Sequence, residues 1–477
     1  MIARLQSTDC HRLYRRVETA AMSLHSISRG KKVPMYLVVN IVGLLIFLGL
    51  GWVFSHNRKE IDWKSVGCMV LLNLVIAWLL TSFTWGRAAV HALAQGFTWI
   101  VNVSYQGINF AIANWVGANG ADPAPVNFIT SALLPILLIV PMFDILTYIG
   151  FLPWLIKWIG RGLSFITRRP KFEAFFAVEM MFLGNTEALA ISQIQLKKMK
   201  AGRDLTLAMM SMSCITAAIV GAYVQMVPGE FVITAIPLNC INALIVAHML
   251  YPVTVTPEED KIYTIADSAD ETPVEDGTAV QQAELSTEVK EYQALPWYKK
   301  IITHDPSKPK KEPFFSFLGD SILTSGRLIL IITANVIAFV ALAGLIDKVL
   351  GLIWDKLTLE AILGVFMYIP AWLMGLDPGT AWDFSQLMGL KLVTNEFVVM
   401  GRVTGDIANY APHYKAVLTV FLTSFANIST LGMIIGTFKG MVSKEKNDLI
   451  SKQVGRILLS GVLVSLLSAA MVGLFVW

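Results

Sequence analysis

Charged residues are scarce in this chain of 477 residues, since Asp, Glu, Lys and Arg together form only 15% of it. Soluble domains carry roughly 25% charged residues, so the proportion argues against an ordinary soluble protein. Hydrophobic residues instead make up 55%, and they recur in long apolar runs. A run of about 20 apolar residues is long enough to cross a bilayer as a helix. The composition therefore predicts a multi-span membrane protein.

Cysteine and histidine are also few, with four and seven residues. The chain contains no CxxC pair and no HExxH motif, which disfavours a metal site of the usual spacing. It also lacks a GxxxxGKS or GxxxxGKT phosphate loop, which disfavours an ATP-driven pump with its own motor. No nucleophile–base pair suggests an enzyme, and no basic stripe suggests a nucleic-acid polymer as partner. Secondary transport or a channel remains, with no organic cofactor.

Apolar segments predict where the chain crosses the membrane. They cover residues 35–54, 66–83, 127–159, 204–227, 230–250, 321–353, 358–376, 412–437 and 455–477. Residues 97–116 are more polar, and we expect an interfacial helix there. Residues 254–312 differ from the rest, because 11 acidic residues lie between Glu258 and Glu291 and a Lys- and Pro-rich piece follows. This composition predicts a solvated loop.

Basic clusters favour one orientation in the bilayer. They lie at 58–64, 157–171, 197–203, 299–311 and 439–456. If the first helix begins outside, all five clusters fall on the cytoplasmic face, as the positive-inside rule requires. This holds only if 172–195 enters and leaves from the cytoplasm as a re-entrant hairpin. The basic residues of 1–34 conflict with the scheme, so this stretch is either an added cytoplasmic segment or the result of an upstream start codon.

Two interrupted apolar segments each carry a carboxylate, an amide and a threonine near their break. MFLGNTEALAISQ at 181–193 contains Glu187, and FSQLMGLKLVTNEFVVMG at 384–401 contains Glu396. Each is followed by a span with small and polar residues, so the chain holds a rough internal repeat. An intramembrane carboxylate is costly and usually functional, although a structural partner for a distant group is the alternative. Broken segments at matching positions of two halves predict a midplane site in a secondary transporter.

The side chains at these breaks suit a hydroxyl-rich or heterocyclic solute. Carboxylates and amides supply directed hydrogen bonds, and half-helix ends leave backbone groups free to bind a ligand. Lys391 is the only basic residue beside the two breaks, which disfavours a strongly anionic substrate. Asp144, one acid in a long apolar block, is compatible with structural pairing and with function alike.

Three motifs resemble those of the concentrative nucleoside transporter family. GNTEA at 184–188 is similar to the first-hairpin motif, LMGLKLVTNEFV at 387–398 to the second-hairpin motif, and SFANISTLGMIIG at 424–436 to the F-A-N-x-S-S stretch. The resemblance covers 35–477 apart from the acidic loop. It implies an all-α polytopic membrane protein with about eight transmembrane helices, two re-entrant helical hairpins and an inverted-repeat transport core. It also implies a homotrimer in a cell membrane, and the compact form suggests a bacterial inner membrane.

The resemblance divides the chain into six segments. They are a basic N-terminal extension at 1–34, scaffold helices at 35–160, a first transport half at 161–253, the acidic and then basic cytoplasmic loop at 254–312, further scaffold helices at 313–382, and a second transport half at 383–477. Each transport half would contain one re-entrant hairpin and two spans.

The resemblance also assigns a substrate pocket. The expected pocket residues are Asn185, Thr186, Glu187 and Ile219 for the nucleobase, and Glu396, Phe425, Asn427 and Thr430 for the ribose. Three positions depart from the family pattern: Asn185 replaces Gln, Leu189 replaces Pro, and Thr430 replaces Ser. The base preference, and the substrate class itself, stay open on these grounds.

The family's sodium site is degenerate in this chain. Sodium-coupled members hold the ion with an Asn side chain, backbone carbonyls and a Ser or Thr hydroxyl, and the matching positions here are Met180, Leu183, Cys214 and Ile215. Met180 and Cys214 offer no oxygen, which hard cations such as Na⁺ require. We therefore expect proton coupling through a buried carboxylate such as Glu187 or Glu396. Sodium coupling is the alternative, with Glu179 restoring an oxygen.

The predicted function is secondary active uptake of a nucleoside or a related small molecule. Cation symport would drive it, and movement of the hairpins across the membrane would give alternating access. The alternative is a membrane sensor or channel that keeps this fold without transport.

Overall fold

The computed structural model describes residues 35–116, 129–213, 215–256, 259–260, 313–354 and 357–477. The predicted extension 1–34, Cys214 and most of the loop 254–312 lie outside these ranges. Within them the chain is helical and contains no strand. The α-helices in chain order are α1 Met35–Val53, α2 Trp63–Thr81, α3 Thr84–Val116, α4 Ile136–Tyr148, α5 Phe151–Thr167, α6 Lys171–Leu183, α7 Asn185–Ile191, α8 Gln193–Lys198, α9 Ala201–Ser211, α10 Ala217–Tyr223, α11 Gly229–Leu250, α12 Phe314–Gly351, α13 Leu359–Trp372, α14 Pro378–Val393, α15 Glu396–Val403, α16 Pro412–Leu422, α17 Ile428–Met441, α18 Lys444–Lys452 and α19 Val454–Gly473.

Five of the described helices are long and apolar enough to cross a membrane, namely α1, α2, α11, α12 and α19, and the bent pair α4–α5 would add a sixth. These helices differ in burial. In α11 and α19, 83% and 72% of the apolar stretch is buried, against 28% in α1 and in α2 and 6% in α12. Helices α11 and α19 therefore lie at the centre, and α1, α2 and α12 form the outer layer.

Asparagine side chains connect the central helices to their neighbours. Asn242 of α11 donates to Ser468 Oγ of α19 at 2.9 Å, and Asn73 of α2 donates to the Leu238 carbonyl of α11 at 3.1 Å. Such contacts join helices in a bilayer, where apolar surface alone provides little driving force between them. The central layer is thus a firm support for the interrupted elements described next.

The predicted single span 127–159 is wrong in its extent. Its described part contains a π-helical turn at Ile129–Leu133 and then α4, after which α5 continues to Thr167 at an angle of 76° to α4. The bend lies at Gly150, whose φ of 88° is in the left-handed region that glycine adopts without strain. Hydropathy could not reveal the bend, because the sequence is apolar on both sides of it.

The segment 97–116 is not a separate helix, because it forms the second part of α3. That helix runs without a break from Thr84 to Val116. The stretch contains no proline, and each glycine within it costs only about 1 kcal/mol of helix stability. The predicted helix at 97–116 is therefore continuous with the residues before it.

The segment 172–195 forms the first hairpin, built from α6, α7 and α8. Helix α6 ends at Leu183, and Gly184 turns the chain with a φ of 87°. A methyl group on Gly184 would approach Glu187 Oε2 to 3.0 Å and Thr216 Cγ2 to 3.3 Å. Both the backbone conformation and the available space therefore require glycine at this tip.

The segment 383–401 lies within the second hairpin, formed by α14 and α15. Helix α14 ends at Val393, and Thr394 and Asn395 form the turn. Asn395 Oδ1 accepts a hydrogen bond from the Val398 amide at 3.0 Å and so caps α15. This cap places Glu396 at the first position of the returning helix.

Both spans that follow a hairpin are interrupted, whereas the sequence predicts continuous helices at 204–227 and 412–437. The first breaks between α9 and α10, and the second between α16 and α17. At the second break Thr423 Oγ1 donates to the Thr419 carbonyl at 2.7 Å, and Asn427 Oδ1 accepts from the Thr430 amide at 2.8 Å. Side chains that bond to the backbone in this way compete with regular helix geometry. Because two spans are interrupted, fewer than eight of the described helices are long and apolar enough to cross a membrane.

Charged contacts hold the base of the first hairpin. Arg203 of α9 donates to both carboxylate oxygens of Glu173 on α6, at 2.7 and 2.8 Å. Lys446 of α18 donates to the Leu196 carbonyl at the end of α8 at 2.6 Å and lies 3.0 Å from Asp204 of α9. These contacts connect α6, α8, α9 and α18 and fix the direction in which the hairpin tip points.

Candidate functional site

Glu396 is the meeting point of the two halves of the chain. It is only 3% exposed and begins α15 at the tip of the second hairpin. Tyr223, at the end of α10, donates its hydroxyl to Glu396 Oε1 at 3.1 Å. Asn427, at the second break, donates its amide to Glu396 Oε2 at 3.1 Å. One buried carboxylate therefore joins a helix of the first half to two elements of the second.

Two of the other residues predicted for the ribose, Asn427 and Thr430, are linked to this carboxylate by hydrogen bonds. Asn427 uses both ends of its side chain, because the amide donates to Glu396 while Oδ1 accepts from the Thr430 amide. Thr430 is buried in the first turn of α17, and Phe425 is partly buried in the interrupted stretch before it. The N-cap role of Asn427 explains why its side chain is held in one orientation.

The residues predicted for the nucleobase lie at the tip of the first hairpin and on α10. Asn185 is buried, Glu187 is exposed, and Thr186 lies between them in α7. Ile219 is buried on α10, four positions before Tyr223, so both side chains project from the same face of that helix. Helix α10 begins just after Thr216, whose side chain lies close to Gly184. It ends at Tyr223, which bonds to Glu396. It connects the two predicted halves of the pocket.

Two of the degenerate sodium positions, Met180 and Ile215, are neighbours in the fold. Met180 and Ile215 are buried and line one small cavity of about 10 Å³, together with Ser213 and Asn239. This volume is close to that of a single water molecule. Leu183 ends α6 just before the turn, and Cys214 lies outside the described residues. The described part of the chain contains no cluster of three or more His, Cys, Asp or Glu able to hold a metal.

Two further acidic residues have partners of their own. Glu179, suggested above as a substitute oxygen ligand, is buried and accepts a hydrogen bond from Ser192 Oγ across the first hairpin at 3.4 Å. Asp144 on α4 accepts a hydrogen bond from Ser321 of α12. This contact indicates that Asp144 connects α4 to α12.

The structure adds two residues that were not assigned a role from sequence. Tyr223 is fully buried and touches Glu396 directly. Lys391 on α14 is fully buried and bonds to the end of α16. The four-residue spacing of Ile219 and Tyr223 places both on one helix face, so the sequence could have identified the tyrosine. The orientation of the Lys391 side chain depends on tertiary contacts.

A cavity of about 310 Å³ lies apart from this site. Its lining includes Arg87, His91 and Glu230, and it adjoins the turn between α10 and α11. It contains none of the predicted pocket residues. Its position on the side without basic clusters places it at the outer face in the predicted orientation.

Two hairpins and two interrupted helices, which contribute Tyr223 and Asn427 to the buried Glu396 carboxylate, are typical of secondary transporters. Residues 42–115 match the family described as "Na+ dependent nucleoside transporter N-terminus", and residues 231–473 match "Na+ dependent nucleoside transporter C-terminus". The chain belongs to this family, the concentrative nucleoside transporters. The resemblance of its three motifs is thereby confirmed, as is a multi-pass membrane location.

Known relatives resemble the chain over nearly its whole length. The purine nucleoside transport protein NupG of Bacillus subtilis is 41% identical over 93% of this chain and 100% of its own length. The nucleoside permease NupC of Helicobacter pylori is 23% identical over 92% of this chain and 97% of its own. A solved structure of CNTnw in an inward-facing substrate-bound state superposes with a TM-score of 0.77 at 22% identity, covering 93% of this chain and 98% of that one. This likeness confirms the predicted all-α fold.

Proposed function

We propose that this protein takes up nucleosides across a cell membrane as a secondary active transporter. The observation that carries the proposal is Glu396, held between Tyr223 of the first half and Asn427 of the second. A carboxylate has about four acceptor positions, and these two bonds occupy two of them. The remaining positions suit the two neighbouring hydroxyls of a ribose.

The nucleobase would lie between the first hairpin tip and α10. Asn185 and Glu187 supply an amide and a carboxylate for the polar edge of the base, with Thr186 beside them. Ile219 supplies apolar surface for its face. Phe425 and Thr430 would complete the ribose side next to Asn427. Small-molecule sites commonly combine mostly apolar walls with a few such polar groups.

Purine nucleosides are the proposed substrates. The support is the 41% identity with a relative described as a purine nucleoside transport protein over the full length of that relative. The Asn185 amide reaches less far than the family's usual Gln, which leaves more room at the base end of the pocket. A purine, with its two rings, would fill that room better than a pyrimidine.

Alternating access would come from movement of the transport halves against a scaffold. The proposed halves are 161–253 and 383–477, and the proposed scaffold is 35–160 and 313–382. The support is the contrast between the buried helices α11 and α19 and the outer helices α1, α2 and α12. Scaffold surfaces of this kind would also form the contacts of a homotrimer.

Protons, rather than sodium ions, are the proposed coupling ions. Met180 presents a thioether to the cavity where the family's sodium ligands would meet, and Cys214 supplies a thiol in place of the family's hydroxyl. Na⁺ binds oxygen ligands, so two of the family's side-chain ligands are lost, although Ser213 and Asn239 bring side-chain oxygens to the cavity lining. The family's description as sodium-dependent argues the other way, so the coupling ion requires a direct test.

The test is uptake of labelled nucleosides into proteoliposomes, with sodium and proton gradients imposed separately. We expect uptake with an inward proton gradient and none with a sodium gradient at constant pH. Sodium-driven uptake at constant pH would overturn the proton assignment alone. An absence of uptake for every nucleoside under both gradients would favour a sensor or channel on this fold.

Two substitutions test the site itself. Glu187→Gln and Glu396→Gln should each reduce uptake strongly, because each removes a carboxylate from the proposed pocket. Glu360→Gln is the matched control, since Glu360 pairs with exposed Arg402 at 2.6 Å outside the pocket. Wild-type uptake by both pocket variants would contradict the proposed site.

A further inference from the structure

Lys391 is a fully buried basic residue that the proposed pocket does not use. It lies on α14, the longer arm of the second hairpin, and none of its surface is exposed. A buried ammonium group costs several kcal/mol unless it is hydrogen bonded and its charge is balanced. The arrangement around Lys391 therefore requires a physical explanation.

The ammonium group bonds to the broken end of the neighbouring span. Lys391 Nζ donates to the Phe421 carbonyl at 2.5 Å and to Ser424 Oγ at 2.7 Å, and it lies 4.5 Å from the centre of the Phe421 ring. Phe421 belongs to the last turn of α16, where carbonyls lack partners within the helix. Such an end carries partial negative charge, which a cation stabilises.

A chain of hydroxyls continues from this contact to the central layer. Ser424 Oγ lies 2.6 Å from Ser465 Oγ of α19, and Ser465 Oγ donates to the Gly461 carbonyl at 2.9 Å. Because Ser424 accepts from Lys391, its own hydrogen is free to point towards Ser465. Each of the two serine hydroxyls then has one acceptor, so both are satisfied.

Asn239 of α11 holds the same interruption from another side. Its amide donates to the Thr423 carbonyl at 2.5 Å. The residues between α16 and α17 are thus bonded to the hairpin through Lys391, to α11 through Asn239 and to α19 through Ser465. Of these three attachments only Lys391 carries a charge.

The interruption leads back to the carboxylate on the same hairpin. It begins beside Lys391 at Ser424 and ends at Asn427, whose amide donates to Glu396. Lys391 and Glu396 lie on the same hairpin and contact the two ends of this interruption, and no ion pair joins them directly among the described residues. Opposite charges separated by protein rather than water still interact appreciably.

We propose that Lys391 is a positioning residue for substrate binding. Its positive charge holds the interruption of the second broken span against the second hairpin and balances the charge of Glu396. Lys391 acts on the substrate through Asn427 and Glu396 and does not touch it. This inference rests on the proposed role of Glu396 in binding the ribose.

The decisive variant is Lys391→Gln, which removes the charge and keeps an amide donor. We expect the dissociation constant of a labelled nucleoside, measured on the purified full-length protein, to rise at least about tenfold, as for a lost bond to a charged group. Ser465→Ala is the matched control, because it removes a neutral hydroxyl that bonds to the same interruption. It should lower the melting temperature and change the dissociation constant by less than about twofold.

Two outcomes would overturn the inference. One is wild-type affinity in Lys391→Gln. The other is an equal loss of affinity in Ser465→Ala, which would mean that any polar contact at the interruption matters equally and the charge of Lys391 has no special part. If the wild type binds nucleosides and Glu396→Gln weakens binding, the proposed function stands in either case.

The double variant Lys391→Gln with Glu396→Gln covers the case in which the single lysine variant does not fold. Removing only the lysine leaves a buried carboxylate without its balancing charge, whereas removing both charges does not. We expect the double variant to fold, with a higher melting temperature than Lys391→Gln and an affinity close to that of Glu396→Gln. A double variant that is no more stable than Lys391→Gln would contradict the proposal.

Discussion

At the scale of the residue, Tyr223 is the contact that joins the two halves of the site. It is the only side chain from the first half that bonds to Glu396 in the described part of the chain, at 3.1 Å. Its ring also packs edge-on against Phe397, with centroids 5.1 Å apart. The hydroxyl and the ring therefore have separable roles, and only the hydroxyl affects the carboxylate.

Tyr223→Phe removes the hydroxyl and keeps the ring packing. Glu396 then loses one of its two donors, and its orientation becomes less restricted. We expect the dissociation constant for a nucleoside to rise about tenfold, since a hydrogen bond to a charged acceptor contributes about 1.5 kcal/mol or more. Tyr36→Phe, on the partly exposed first turn of α1, serves as the control. Equal affinities in both variants would exclude a role for this bond.

At the scale of the element, the first hairpin depends on a tight turn and a clamped base. Gly184 has a φ of 87° and has Glu187 Oε2 within 3.0 Å of the position of a methyl group. At the other end, Lys446 bonds to the last carbonyls of α8 and lies beside Asp204, which is fully buried. The tip and the base of this hairpin can therefore be tested by separate substitutions.

Gly184→Ala should damage the tip. An alanine at this φ is strained by about 1–2 kcal/mol, and its methyl group would displace the Glu187 carboxylate. We expect a lower melting temperature together with a weakened nucleoside affinity. Gly162→Ala on α5 is the matched control, because nothing lies within 4 Å of its added methyl group. Similar melting temperatures and affinities in the two variants would contradict the requirement for glycine at the tip.

Lys446→Met should loosen the base. It leaves the buried Asp204 carboxylate without its nearest cation, and loss of one partner of a buried pair costs about 3 kcal/mol or more. We expect a large drop in melting temperature measured by tryptophan fluorescence. Exposed Lys444→Met on the same helix should change it little. Equal melting temperatures in the two lysine variants would show that the Lys446 contacts do not stabilise the hairpin.

At the scale of the whole molecule, the proposed coupling concerns a few side chains where the first hairpin meets the first broken span. Met180 and Ile215 meet at one cavity there, and Cys214 stands in the sequence between Ser213 and Ile215, which both line it. The rest of the fold is compatible with either coupling ion. The choice of ion is therefore expected to follow the oxygen content of this one region.

Met180→Asn combined with Cys214→Ser restores two side-chain oxygens to the degenerate positions. We expect this variant to gain uptake driven by a sodium gradient at constant pH in proteoliposomes, several-fold above the wild type. Val178→Asn with Cys214→Ser is the control, since it adds the same atoms to α6 at a buried position outside the cavity lining. A folded variant whose uptake remains indifferent to sodium would show that these positions are not a latent sodium site.

Sequence alone was sufficient for features that depend on local composition. Long apolar runs predicted the membrane helices, because burial in lipid requires about 20 apolar residues whatever the neighbours are. The motifs around Glu187 and Glu396 predicted both hairpins, because a glycine, amides and carboxylates are incompatible with a continuous lipid-facing helix. Glu396, Asn427 and Thr430 were also grouped correctly as neighbours, although through a family resemblance.

Only the tertiary structure decided features that depend on contacts between distant parts of the chain. The bend at Gly150, the interruptions of both broken spans and the single long helix α3 differ from the predictions based on hydropathy. The bond from Tyr223 to Glu396 and the direction of Lys391 towards Phe421 join segments far apart in sequence. Hydropathy records how much apolar surface a segment carries, whereas these bonds depend on which polar groups the packing of several helices leaves in need of a partner.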